Sequence, residues 1–150
     1  MKNFIKFIFV FLFLSNSYVN AQSNYYLKVY LNDQVVDIYE NEILIKTIPC
    51  STGIKPGSTP VGKFYTNYKK EKDKWIEEDG SEISYYYITR FNKYISFHSL
   101  LEGEHFLVDS GNNLYMNGKS SSMGCIRVSK DDAKWIYNLS LGVSVEVVDN

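Results

Sequence analysis

From Tyr25 to Cys50, apolar and polar side chains alternate in three short runs, YYLKVYL, VVDIYE and EILIKTIPC, parted only by NDQ and NE. A period of two sends successive side chains to opposite faces of an extended chain. Asn and Asp between the runs supply turns, so the segment predicts an antiparallel meander. The stretch STGIKPGSTPVGKF that follows holds two prolines and three glycines, the composition of a loop with a defined shape.

Further along, KFYTNY and EISYYYITRF read as strands flanking the charged run KKEKDKWIEEDGS. That run is either a solvated hairpin tip or a flap over a cleft with Trp75 as its one apolar contact. KYISFHSL and HFLVDS predict two more strands around a turn at Glu102-Gly103, and the glycine- and serine-rich GNNLYMNGKSSSMG predicts loop. In SKDDAKWIYNLSLG, Ser129 is placed to cap a helix, Asp132 follows three residues on, Ala133, Ile136 and Tyr137 share a face, and Gly142 marks the far end. VSVEVVD closes the chain as a strand. The whole is a mostly β domain with one short helix towards its C-terminus.

Ahead of the meander, the first 21 residues have the layout of a secretory signal peptide: Lys2 and Lys6, an apolar run from Phe7 to Leu14, then a polar stretch ending at Ala21. The apolar run is shorter than the ~20 residues of a membrane-spanning helix, which weighs against the alternative of an uncleaved anchor. Cleavage before Gln22 leaves residues 22–150 as one domain. It also takes the formal charge from −1 to −3, since both lysines go with the leader. A mildly acidic chain without a basic tract has no electrostatic footprint for nucleic acid. Cys50 and Cys125 are the only cysteines. A disulfide between them fits the exported compartment but not the denser cysteine spacing of bridge-dependent scaffolds.

Cys125 lies in SSSMGCIRVS, beside Gly124 and four residues ahead of Ser129, so its loop is expected to lead into a helix start. A thiol becomes a useful nucleophile when a histidine or a helix N-terminus stabilises its thiolate. Backbone N–H groups of a glycine-containing turn can in addition face an oxyanion. The chain has two histidines, His98 and His105. Taken alone, the residue pair leaves two readings open, nucleophile and core filler. Cys50 ends a predicted strand with no histidine or basic residue near it in sequence and reads as buried packing.

FHSL, followed after 27 positions by SSMGCIRVSKDDAKWIY, resembles the L,D-transpeptidase (YkuD-like) catalytic domain. That family's signature is an upstream histidine, then Ser/Thr-His-Gly-Cys, with an arginine two residues beyond the cysteine. CSTGIKPGSTPVGKF is similar to the family's Ser-Thr-Gly strand end and Thr-Pro-x-Gly loop, and the likeness runs from about Tyr25 to the C-terminus. The resemblance implies a β-sandwich or barrel with Cys125 as nucleophile and His98 as general base. It also implies that the carbonyl of Ser99 orients the imidazole, that the Gly124 and Cys125 N–H groups form an oxyanion site, and that Ser122 and Arg127 are substrate-side residues. One position departs: Met123 stands where the family usually has histidine, and His105 is the remaining histidine that could compensate or simply pack.

Carried further, the resemblance implies an exported cell-wall enzyme, in the periplasm or wall, whose partners are peptidoglycan stem peptides. It forms a cysteine thioester, releases D-alanine and makes 3-3 cross-links, and a carbapenem should acylate the same cysteine. No metal and no organic cofactor is implied. Two alternatives differ in outcome: a carboxypeptidase or endopeptidase that trims stems, and a catalytically degenerate peptidoglycan-binding module.

Overall fold

The three alternating runs become β1 (Tyr25–Tyr30), β2 (Val35–Glu40) and β3 (Ile43–Pro49), paired antiparallel in that order. The dipeptide NE between the last two is the turn itself, with Asn41 and Glu42 at φ 49° and 67°. Two consecutive positive φ values are what a tight hairpin with right-twisted arms requires. The computed structural model describes residues 23–103, 106–108, 114–116 and 122–149, with backbone alone at 106–108 and 114–116. The predicted leader and His105 lie outside the described residues.

The chain continues through β4 (Gly62–Tyr65), β5 (Tyr68–Ile76), β6 (Glu82–Arg90), β7 (Ser96–Ser99), β8 (Phe106–Val108), β9 (Leu114–Met116), β10 (Ile126–Val128), helix α1 (Lys130–Asn138) and β11 (Ser144–Val148). One sheet has the order β3-β2-β1-β11-β4, with β11 parallel to β1. A second has the order β10-β7-β6-β5, and β8 with β9 forms a separate ribbon. The two larger sheets share one core. Leu27, Val29, Val36, Ile38, Val145 and Val147 come from the first; Phe97, Ile126 and Val128 come from the second, and Ala133 and Ile136 from α1. Each fully buried apolar side chain of this size contributes roughly 1.5–3 kcal/mol of transfer free energy. The mostly β class with one helix is as the sequence predicts.

Four local expectations change. KFYTNY is two strands in different sheets, because the chain turns a corner at Thr66. There the Thr66 N–H and carbonyl and the Thr66 hydroxyl all bond the Gly142-Val143 backbone, while the Asn67 N–H bonds the Arg90 carbonyl. Most of the charged run is strand, with only residues 77–81 outside it. As β5 is a sheet edge, its Lys70, Lys72 and Lys74 face solvent and oppose strand addition, and no apolar alternation was needed to make it a strand. Leu114–Met116, expected in loop, pairs with β8.

Last, α1 starts as predicted, with the Ser129 hydroxyl accepting from the Asp132 N–H, but it ends at Asn138 and not near Gly142. Leu139 leaves the helix in an extended conformation. Gly142, at φ 88°, instead turns the chain into β11 where Thr66 binds it.

Candidate active site

The period of two sorts β7 and β10 into a core face and a site face. These strands run parallel with Arg127 opposite His98 and Ile126 opposite Phe97. Phe97, Ile126 and Val128 enter the core. Ser96, His98, Arg127 and Cys125, which sits one residue ahead of β10, take the alternate positions. Cys125 and His98 accordingly line the same two cavities. Strand β10 separates Cys125 from α1, so the helix start expected to stabilise the thiolate stands a full strand away, about 10 Å at the usual rise per residue.

The loop holding Cys125 is braced from beneath by the proline- and glycine-rich segment. Ser51 exchanges both backbone hydrogen bonds with Arg127, and the Ile54 N–H bonds the Ser122 carbonyl. Thr59 accepts from the Gly53 N–H at 2.9 Å and donates to the Gly124 carbonyl at 2.8 Å. Ser122 closes the turn itself, accepting from the Gly124 N–H at 3.0 Å and donating to the Cys125 carbonyl at 2.6 Å. The Ser122 hydroxyl is therefore committed to backbone. The Gly124 N–H, one of the two donors expected at an oxyanion, is already engaged with it. Gly124 itself sits at φ 139°, packed so that a Cβ would lie 2.4 Å from the Ser58 carbonyl oxygen.

His98 is buried, and its Nδ1 lies 2.7 Å from the Ser99 carbonyl oxygen. A carbonyl only accepts, so Nδ1 carries the proton and Nε2 keeps its lone pair, the tautomer a general base needs. Burial, with the Arg127 charge adding to it, pushes the imidazole pKa down to about 4 against the opposing pull of the Ser99 carbonyl. Burial likewise raises the Cys125 thiol, opposed by a backbone hydrogen bond from Ser96 and by the Arg127 charge. The S–H points to the Tyr94 carbonyl at 3.7 Å. At neutral pH the resting pair is thus a thiol and a neutral imidazole, not an ion pair. Cys50 is fully buried, its thiol pKa raised by burial alone, and both cysteines are free.

Two cavities share this pair, together with Tyr85, as part of their walls. One, of 280 Å³, runs past Tyr85, Ser96 and Tyr94 to Arg90 and Lys93. The other, of 140 Å³, is walled by Trp75, Leu101 and Met123 with Arg127 at its floor. A larger cavity of 690 Å³ lies beside Tyr26, Tyr39 and Tyr65 on the other sheet and touches neither Cys125 nor His98. The larger cavity thus holds neither the free half-buried thiol nor a histidine.

A sequence profile of the L,D-transpeptidase catalytic domain, YkuD, matches residues 24–147. The chain belongs to that family. It is 28% identical over 123 residues to YciB of Bacillus subtilis (strain 168), a protein named as an L,D-transpeptidase, covering 77% of this chain and 61% of that one. The chain therefore spans about three fifths of the length of this curated relative. Among solved structures it superposes on LD transpeptidase LdtMt1 in complex with imipenem, with a TM-score of 0.63 and 23% identity over 84% of this chain and 59% of that chain. It also superposes on an L,D-transpeptidase from Mycobacterium smegmatis, with a TM-score of 0.64 and 20% identity over 84% and 59%. At these identities the two structures speak for the fold.

Within this YkuD domain the sequence reading overlooked Tyr85, whose ring lies 4.7 Å from the His98 ring, centroid to centroid. Simple alternation along β6 would hide it, since Ile88 and Arg90 line the cleft and Tyr85 is out of phase with both. Tyr87 adopts φ 57°, and Tyr86 and Tyr87 both face the helix, over Lys130 and against Tyr137. This break in the alternation returns Tyr85 to the site face. Trp75 lines the cavity beside Cys125, which favours the flap reading of the hairpin, and Met123 is exposed at its mouth.

Two outcomes are expected from this geometry. Gly124→Ala forces a side chain into a left-handed backbone region and against the Ser58 carbonyl. It should lower stability by ~2–4 kcal/mol in denaturant unfolding, whereas Gly80→Ala, also at positive φ but with open space around it, should cost ~1 kcal/mol. Unequal costs are the sign that close packing beneath Cys125 matters beyond backbone strain alone.

The second outcome concerns acid. The folded pKa of His98 lies below the unfolded value of about 6.5, so on acidification the unfolded chain takes the proton first. The His98 contribution is intact above pH ~6.5 and is lost as pH falls to about 4, by about 3 kcal/mol. The difference in unfolding free energy between the native chain and His98→Gln, measured from pH 7 to 4, should shrink by that order. A constant difference would mean that His98 is not buried neutral.

Proposed function

We propose that the chain is an exported L,D-transpeptidase that acts on peptidoglycan stem peptides through a thioester at Cys125. The observation that carries this reading is the placement of Cys125 and a correctly tautomerised His98 on one strand face, between two cavities that meet at the sulfur.

In the first half-reaction His98 Nε2 takes the thiol proton as Sγ attacks the carbonyl carbon between the diamino acid and the terminal D-alanine. The Cys125 N–H faces the developing oxyanion, joined by the Gly124 N–H once that donor is shared with Ser122 Oγ. Collapse breaks the C–N bond, His98 returns the proton to the departing D-alanine nitrogen, and a thioester remains. In the second half a neutral side-chain amine of another stem attacks the thioester. Its proton passes to His98, the C–S bond breaks, and the thiolate is reprotonated as the amide forms.

Arg127 acts in this scheme from the wall of the smaller cavity, through its charge. Its charge is felt at Tyr85, His98 and Cys125, and it keeps the imidazole neutral while favouring thiolate formation. The leader is proposed to be removed before Gln22, which N-terminal sequencing of the exported form reads directly.

Incubating the purified mature protein with tetrapeptide muropeptides should release D-alanine and give dimers joined between third residues. Shortened monomers without dimers would make the chain a stem peptidase. Neither product, together with no mass increase on incubation with imipenem, would overturn the enzymatic reading in favour of a binding module.

A further inference from the structure

The two cavities beside Cys125 differ in chemistry, and the difference concerns which substrate each can hold. The larger one ends in two cations. The Arg90 guanidinium lies 4.5 Å from the Tyr68 ring centroid, with its Nε donating to Asn67 Oδ1 at 3.2 Å, and Lys93 Nζ lies 4.9 Å from the Tyr94 ring centroid. Neither pairs with a carboxylate among the described residues. Lys70 in the same cavity, by contrast, is held by Asp73 at 2.9 Å. The guanidinium is therefore positioned by an aromatic face and an amide while its charge remains available, an arrangement suited to a carboxylate.

The smaller cavity is mainly apolar, walled by Trp75, Leu101 and Met123; Arg127 is its one permanent charge, and Ser122, whose hydroxyl is committed to the turn, and Tyr85 are its other polar side chains besides the Cys125–His98 pair. An amine can attack a thioester only when unprotonated. Apolar walls and a neighbouring positive charge both favour the neutral amine, so the incoming nucleophile belongs in that cavity and the carboxylate-bearing donor in the larger one. From this we infer that Arg90 and Lys93 form a carboxylate-reading subsite for the acyl donor, in a different cavity from the one that takes the attacking amine. The inference rests on the transpeptidase reading above. It adds two specificity-determining residues that do not touch the reacting atoms.

The carboxylate has two sources on a stem peptide, the C-terminus of the leaving residue and the second carboxyl of the diamino acid. The test is steady-state release of the leaving residue, D-alanine or, from the C-terminally amidated donor, D-alaninamide, and dimer formation by the mature protein and by Arg90→Gln/Lys93→Gln, with unfolding curves confirming that the variant folds. Donors are the free tetrapeptide, one amidated at the C-terminus and one amidated at the diamino acid.

With the free tetrapeptide, the variant should raise the donor KM by about tenfold to a hundredfold, the range for lost hydrogen bonds to a charged group, and leave the KM for the amine acceptor unchanged. Amidating the carboxyl that is read should remove the difference between the native chain and the variant, which identifies the source. An unchanged donor KM, an equal rise in the acceptor KM, or a difference that survives both amidations would overturn the inference. Absence of D-alanine release by the native chain would instead sink the transpeptidase reading on which it rests.

Discussion

Cys125→Ala is expected to abolish covalent labelling by imipenem and all D-alanine release, while Cys50→Ala keeps both. The two thiols differ in access, not in intrinsic chemistry. Cys125 is half-buried at the meeting point of two cavities, on the same strand face as His98, whereas Cys50 is fully enclosed in the core with no titratable partner beside it. Removing Cys50 Sγ costs one small buried group, ~1–2 kcal/mol of stability, which denaturant unfolding reads separately from labelling. Intact-mass measurement after incubation with the carbapenem distinguishes all cases. Equal loss of labelling in both variants would mean that a disulfide between them is required, contrary to the free state of both thiols.

What the sequence disclosed about the fold follows from where side-chain pattern and backbone geometry coincide. β1 and β2 were legible because each buries one face, so a period of two survives in their residue types, whereas β3, exposed from Ile43 to Thr47, was legible from its β-branched and apolar residue types beside a turn. The helix start was legible because Ser129 and Asp132 are local chemistry: the Ser129 hydroxyl accepts from the Asp132 N–H and donates to the Asp132 carboxylate three residues away. β5 was not, because an edge strand exposed on both faces has no apolar pattern to show. Nor was β10, since three buried residues cannot display a period. The helix end misled for a different reason. Gly142 does mark a positive φ, but it serves the corner built around Thr66, a contact 76 residues away in sequence.

The site divides along the same line. Cys125, His98 and Ser99 were named from motif likeness, and the 2.7 Å contact of His98 Nδ1 with the Ser99 carbonyl gives that assignment a physical content, a fixed tautomer. Tyr85 was invisible because its place against His98 depends on the backbone break at Tyr87, and no residue type in SYYYIT announces which of three tyrosines turns inward. Ser122 lies in the motif but spends its hydroxyl on the turn, so its sequence position indicated importance without indicating the reason.

His98→Ala should lower the acylation rate at pH 7 by at least ~10²-fold, the usual cost of losing a positioned general base, and should also change the shape of the pH profile. With the imidazole pKa at about 4 and the thiol raised by burial, the native pair stays neutral across physiological pH. Proton transfer to Nε2 then accompanies attack. The native rate should therefore be nearly flat from pH 5 to 8 and fall as His98 becomes protonated towards pH 4. Without the imidazole only pre-formed thiolate reacts, so the variant's rate should climb about tenfold per pH unit below the thiol pKa.

The same assay bears on Met123, which is exposed at the mouth of the apolar cavity. Met123→His should leave the flat profile and its acid limb in place, because the base is already supplied by His98. His105→Ala should likewise change the rate little. A flat profile that persists in His98→Ala and disappears in His105→Ala would move the general base to His105. The match of FHSL to the family's upstream histidine would then have to be given up.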